Sequence, residues 1–182
     1  FKFIDLGGGM GISYSRKEKP LNLRQYANIV SKFIKNKNSK IIFEPGRFIV
    51  GNTAILVTKI IYIKKSNNKY FVILDAGMNN LMRPALYDAN HQIIPLKKTN
   101  KIFRGNIQFV GPVCESSDKF SDQKKFSFIK EGDYLALANV GAYGMSLSSN
   151  YNTRPAIAEI MVSGSKHKII KKRQSLESLL NS

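Results

Sequence analysis

Two apolar runs, FKFIDL and KIIF, flank one amphipathic segment within the first 47 residues, and this arrangement constrains the fold most. In PLNLRQYANIVSKFIKNK, residues 20–37, Leu23, Tyr26, Ala27, Val30 and Ile34 recur at helical spacing, and Pro20 suits a first turn. The order is therefore strand, glycine loop, helix, strand. A helical crossover between two strands implies that they run parallel. Neither apolar run alternates with polar residues, as expected of strands covered on both faces.

After about residue 55 the pattern changes. AILVTKIIYIKK, KYFVILDAG, DYLALANVG and AIAEIMVSG are β-rich runs separated by Gly, Asn and Ser. No long helix interrupts them, and SLESLLNS predicts a short terminal one. The expected fold class is α/β plus all-β: an α/β unit over residues 1–55, then a mostly antiparallel sandwich or barrel over 56–182. Hydrophobic residues make up 43% of the chain, enough for a packed core. The chain opens on Phe1, inside an apparent strand, which predicts that it is truncated at its amino end.

Composition narrows the function. One cysteine excludes an intrachain disulfide and a cysteine-based zinc site, and the two histidines, His91 and His167, have no cluster of ligands in sequence. No metal is expected. No run reaches the roughly 18 apolar residues of a membrane span, so a cytoplasmic protein without membrane association is expected. The net charge of +17 is spread as lysines among asparagines, as in IKNKNSK and KKSNNKY. Without a basic stripe interleaved with aromatics, it reads as a solvated surface rather than a nucleic-acid interface.

Five segments carry candidate chemistry. Gly7, Gly8 and Gly9 end the first strand, where slim backbone lets N–H groups approach a phosphate, although the spacing is not G-x-G-x-x-G. Glu44, Pro45, Gly46 and Arg47 end the second strand, the end at which parallel α/β folds bind ligands. Arg83 offers a donor fork suited to a carboxylate, with Tyr87 four residues on. Cys114, Glu115 and Asp118 share a polar loop, an unusual place for a lone thiol. Tyr143 sits between small residues in GAYGM, where a ligand can come close.

In this order, DLGGGMGI, EPGR, DAGMNNLMRPALYDA, GPVCESSD and GAYGMSLSSNYNTRPAIAE closely resemble the diaminopimelate decarboxylases of lysine biosynthesis. These belong to the fold type III pyridoxal-phosphate decarboxylases. The resemblance runs from Asp5 to about Arg173. It implies that residues 1–55 are the last strands of a TIM-type (β/α) barrel, and that the active site is shared across a homodimer. It implies decarboxylation of meso-2,6-diaminopimelate to L-lysine and carbon dioxide, with pyridoxal 5'-phosphate as electron sink.

By the same resemblance, Gly7 to Gly9 and Glu44 to Arg47 bind the cofactor, with Glu44 by the pyridine nitrogen. Tyr143 meets both phosphate and substrate. Arg47, Arg83 and Tyr87 hold the distal carboxylate, and Glu115 the distal ammonium. Cys114 gives a proton to Cα from the partner subunit, which explains a thiol in a polar loop. The lysine that anchors the cofactor lies on an early barrel strand in the family, and no residue here matches its motif. The fragment is therefore expected to be inactive alone, with residues 1–55 prone to aggregation or disorder because of their open strand edges. Two alternatives are a related decarboxylase of ornithine, arginine or a carboxylated polyamine such as carboxynorspermidine, and a non-catalytic binding or regulatory homologue.

Overall fold

The computed structural model describes residues 1–15 and 18–181. The first strand, β1 (Phe3–Asp5), pairs in parallel with β2 (Lys40–Ile42), Ile4 lying opposite Ile41. Between them runs α1 (Leu23–Ile34), as the spacing predicts. Its start differs in detail. Asn22 is the N-cap, its side chain accepting from the Gln25 N–H at 3.0 Å, so Pro20 precedes the helix instead of occupying its first turn.

Expected cover on both faces of these strands is not supplied by the described residues. Phe3 is 57% exposed and Ile42 41%, and no residue of α1 is buried. The helix touches the second strand's end through Tyr26 and Phe43, whose ring centroids lie 6.1 Å apart. After Pro45 the chain turns into a five-residue helix, α2 (Gly46–Val50).

Residues 55–138 form one six-stranded sheet from β3 (Ile55–Ser66), β4 (Lys69–Leu74), β5 (Ile93–Pro95), β6 (Ile102–Val110), β7 (Lys119–Ser127) and β8 (Tyr134–Ala138), ordered β5-β8-β3-β4-β6-β7. Every pair is antiparallel except β4 with β6, which is parallel because the long excursion through residues 75–101 separates them. Within that excursion lies α3 (Arg83–Tyr87). Period-two alternation explains the burial: Leu56, Thr58 and Ile60 of β3 point inward while Ile55, Val57 and Lys59 point out.

Ile93 on one edge strand and Phe120 and Phe126 on the other join a single core with Ile60, Leu74, Phe109, Leu135 and Leu137. A sheet whose two edges reach one core must curl around it. The architecture is thus a curled, barrel-like sheet rather than two facing sheets. A separate hairpin, β9 (Glu159–Ser163) with β10 (Lys166–Lys171), precedes a short helix, α4 (Leu176–Leu180). That helix matches the terminal one predicted, whose last residue, Ser182, lies outside the described residues.

Candidate active site

The parallel strands end in a loop shaped by glycine. Gly7 and Gly9 have φ of 63° and 73°, a region that costs other residues energy. A Cβ on Gly8 would stand 2.7 Å from the Glu44 carbonyl oxygen, so only glycine allows this approach. The Gly7 N–H donates to Asp5 Oδ1 at 2.7 Å, and the Gly7 carbonyl accepts from the Glu44 N–H at 2.8 Å. The N–H groups of Gly8, Gly9, Met10 and Gly11 have no partner among the described residues. A run of free amides on slim backbone suits a phosphate, so the residues present fit the phosphate end of a cofactor.

Three segments converge beside it. The Gly141 N–H donates to the Gly51 carbonyl at 3.1 Å, and a Cβ on Gly141 would collide with the Val50 carbonyl oxygen. Asn139 Nδ2 donates to the Ser13 carbonyl at 3.2 Å. The loop after β8 is thereby fastened to α2 and to the chain beyond the glycines. Tyr143, held at a φ of 66°, leaves this loop with its ring half exposed. A left-handed tyrosine is strained, and such strain concentrates at functional positions.

A cleft of about 520 Å³ opens there, lined by Arg47, Arg83, Tyr87, Tyr143 and Leu147. Four of the residues singled out in sequence thus meet. Neither guanidinium has an ion-pair partner among the described residues, where the one salt bridge joins Lys119 and Asp122 on the surface. Two cations, two phenols and no carboxylate make a lining that attracts an anionic group.

Arg83 is rigidly held. It is buried, and its Nη1 donates to the Tyr14 hydroxyl at 2.7 Å and faces His91 Nε2 at 3.4 Å. Its guanidinium stacks over the rings of Tyr14 and Tyr143, 5.0 and 5.7 Å from their centroids. Burial holds His91 below its ordinary 6.5; its contact with the Ala138 carbonyl opposes this and the nearby Arg83 charge reinforces it. Sequence reasoning missed both Tyr14 and His91. The signal for His91 was its alternation with Ile93, which puts both on the inward face.

Cys114 and Glu115 are not in this cleft. Both are exposed, in the loop between β6 and β7. On that side Pro84, Ala85 and Asp88 face Ser116 and Ser117 across a second concavity, while Arg83 and Tyr87 line the arginine cleft, so α3 borders both. The backbone N–H and hydroxyl of Ser117 hold Glu115 below the usual carboxylate range, with the Tyr151 side chain adding to them. It is thus an anion suited to an ammonium. Buried Asp118 fixes the loop: its Oδ1 accepts from Met78 N–H at 2.7 Å and its Oδ2 from Val113 N–H at 2.8 Å. Among the described residues no cluster of His, Cys, Asp or Glu could hold a metal, and no helix is long and apolar enough to cross a membrane.

A diaminopimelate decarboxylase of Zymomonas mobilis subsp. mobilis is 44% identical over 177 residues, 97% of this chain. The crystal structure of the Helicobacter pylori diaminopimelate decarboxylase complexed with L-lysine superposes with a TM-score of 0.90 at 42% identity, over 99% of this chain. The chain spans only 42% of the Zymomonas protein and 44% of the Helicobacter chain. An arginine decarboxylase of Paramecium bursaria Chlorella virus shares the fold at a TM-score of 0.71 but only 18% identity. Residues 13–141 match the family model described as the C-terminal sheet domain of pyridoxal-dependent decarboxylases, and the chain belongs to that family.

Proposed function

We propose that this chain is the carboxy-terminal part of an enzyme that decarboxylates meso-2,6-diaminopimelate to L-lysine. The cleft of Arg47, Arg83, Tyr87 and Tyr143, with no protein carboxylate in its lining, carries the reading. A substrate whose far end bears both a carboxylate and an ammonium needs cations and an anion together, and Glu115 supplies the anion. Ornithine has no distal carboxylate and gives such a cleft nothing to hold. Pyridoxal 5'-phosphate, when bound, takes up the electrons released as carbon dioxide leaves.

The free amides of Gly8 to Gly11 would hold its phosphate, and Tyr143 would meet both that group and the substrate. Glu44, with Pro45 and Gly46 forming the turn that carries it, would be the carboxylate that favours the protonated pyridine ring. Arg47, Arg83 and Tyr87 hold the distal carboxylate. Cys114 and Glu115 are exposed and lie outside the cleft lining of their own chain, which supports their serving the partner's site in a homodimer. There Cys114 delivers to Cα the proton that takes the place of the lost carboxylate.

Residues 1–55 belong, in this reading, to the end of a (β/α) barrel whose other strands cover the exposed Phe3 and Ile42. Residues 56–182 are the β domain, and the enzyme is cytoplasmic. The chain by itself lacks the anchoring lysine and does not turn over. The test is the full-length protein with pyridoxal phosphate, assayed on meso-diaminopimelate, ornithine, arginine and carboxynorspermidine. Lysine release from the first, far above product from the others, is expected. Preference for any other substrate, or no turnover at all, overturns the proposal.

A further inference from the structure

A ring of contacts lies behind the cleft. His91 is 1% exposed, and its Nδ1 lies 2.9 Å from the Ala138 carbonyl oxygen. A carbonyl only accepts, so Nδ1 carries the proton. Arginine only donates, so Nε2, 3.4 Å from Arg83 Nη1, offers its lone pair. Only the neutral imidazole with its proton on Nδ1 satisfies both neighbours. The same Nη1 donates to the Tyr14 hydroxyl at 2.7 Å, and Tyr14 meets His91 edge to face at 5.4 Å. Asn139, next to Ala138, bonds Ser13, next to Tyr14, at 3.2 Å. The circuit is closed, and one side of the guanidinium is tied back into it.

We infer that His91 and Tyr14 are positioning residues for Arg83, fixing which of its N–H groups face the cleft and so setting selectivity for a ligand carboxylate. The inference rests on the diaminopimelate reading. A guanidinium left free to rotate keeps its charge but loses the oriented fork that recognises a planar anion.

The test uses the full-length holoenzyme and two inhibitors, L-lysine and cadaverine, which differ only by a carboxylate. His91→Asn keeps an amide for the Ala138 carbonyl but does not reach Arg83; His91→Gln places an acceptor near the Nε2 position. Tyr14→Phe keeps the ring and removes the acceptor. His91→Asn and Tyr14→Phe are expected to raise KM for meso-diaminopimelate and Ki for L-lysine about tenfold or more, the scale of one hydrogen bond to a charged group. The kcat and the Ki of cadaverine stay near wild type, and His91→Gln restores much of the lysine affinity. Equal changes for lysine and cadaverine, or no change for either, overturn the inference while leaving the diaminopimelate reading intact. A wild-type enzyme that neither forms nor binds lysine overturns both. Should His91→Asn fail to fold, Tyr14→Phe decides alone.

Discussion

Replacing Asp118 tests whether one carboxylate sets the position of the Cys114 loop. It is 4% exposed and accepts two backbone N–H groups from different loops, Met78 at 2.7 Å and Val113 at 2.8 Å. A Cβ on Gly111 would overlap the same carboxylate, so the packing admits nothing bulkier. Hydrogen bonds to a charged acceptor contribute about 1.5–3 kcal/mol each. Burial opposes them, pushing the Asp118 carboxyl above its ordinary 3.8, so the lower end of that range applies. Asp118→Ala orphans both amides and should cost about 3 kcal/mol; Asp118→Asn keeps one acceptor and should cost about half. At about 1.4 kcal/mol per decade, exchange of the Met78 and Val113 amides should quicken roughly a hundredfold in the alanine variant. In the asparagine variant one of the two amides should quicken about tenfold. Hydrogen–deuterium exchange of the full-length protein reads both sites directly. Rates within about twofold of wild type at both amides, in both variants, would refute the reasoning.

Three further outcomes follow from named contacts. Gly141→Ala drives a methyl into the Val50 carbonyl and towards Thr53 Oγ1, and should cost about 1–3 kcal/mol, seen as a lowered Tm. For His91 the folded value lies below the ordinary 6.5, so the unfolded chain takes up the proton first as pH falls. Its contribution to stability is whole above that pH and drains away below it, by at most about 1.4 kcal/mol per pH unit, until the folded form also protonates. Melting curves of wild type against His91→Gln isolate that slope. Cys114→Ala should cripple lysine formation while leaving cofactor absorbance intact, and unchanged turnover would remove the thiol from the proton-transfer step.

Local patterns revealed the elements because each is written in neighbouring residues. The helical spacing from Leu23 to Ile34 matches α1, and the β-rich run AILVTKIIYIKK matches β3. Pro20 misled by three residues, since the Asn22 side chain outranks a proline in fixing where the helix begins. The arginines and tyrosines of the cleft were legible as motifs, and their meeting depends on Gly141 and Asn139 fastening distant loops together. Tyr14 was invisible for a plain reason: its contact with Arg83 spans 69 residues, and no local periodicity records such a pairing. The same holds for the parallel pairing of β4 with β6, which no hairpin signal announces.

In the proposed reading the cleft beside Tyr143 holds a carboxylate through Arg83, and Arg83→Lys is the decisive substitution. Lysine keeps the positive charge but not the fork that meets Tyr14 and His91 together and, in the proposed reading, also a ligand carboxylate. The kcat/KM for meso-diaminopimelate is expected to fall about ten- to a hundredfold in the full-length enzyme, the scale of one charge-assisted hydrogen bond, with cofactor binding unchanged. Turnover at the wild-type level in that variant would contradict it.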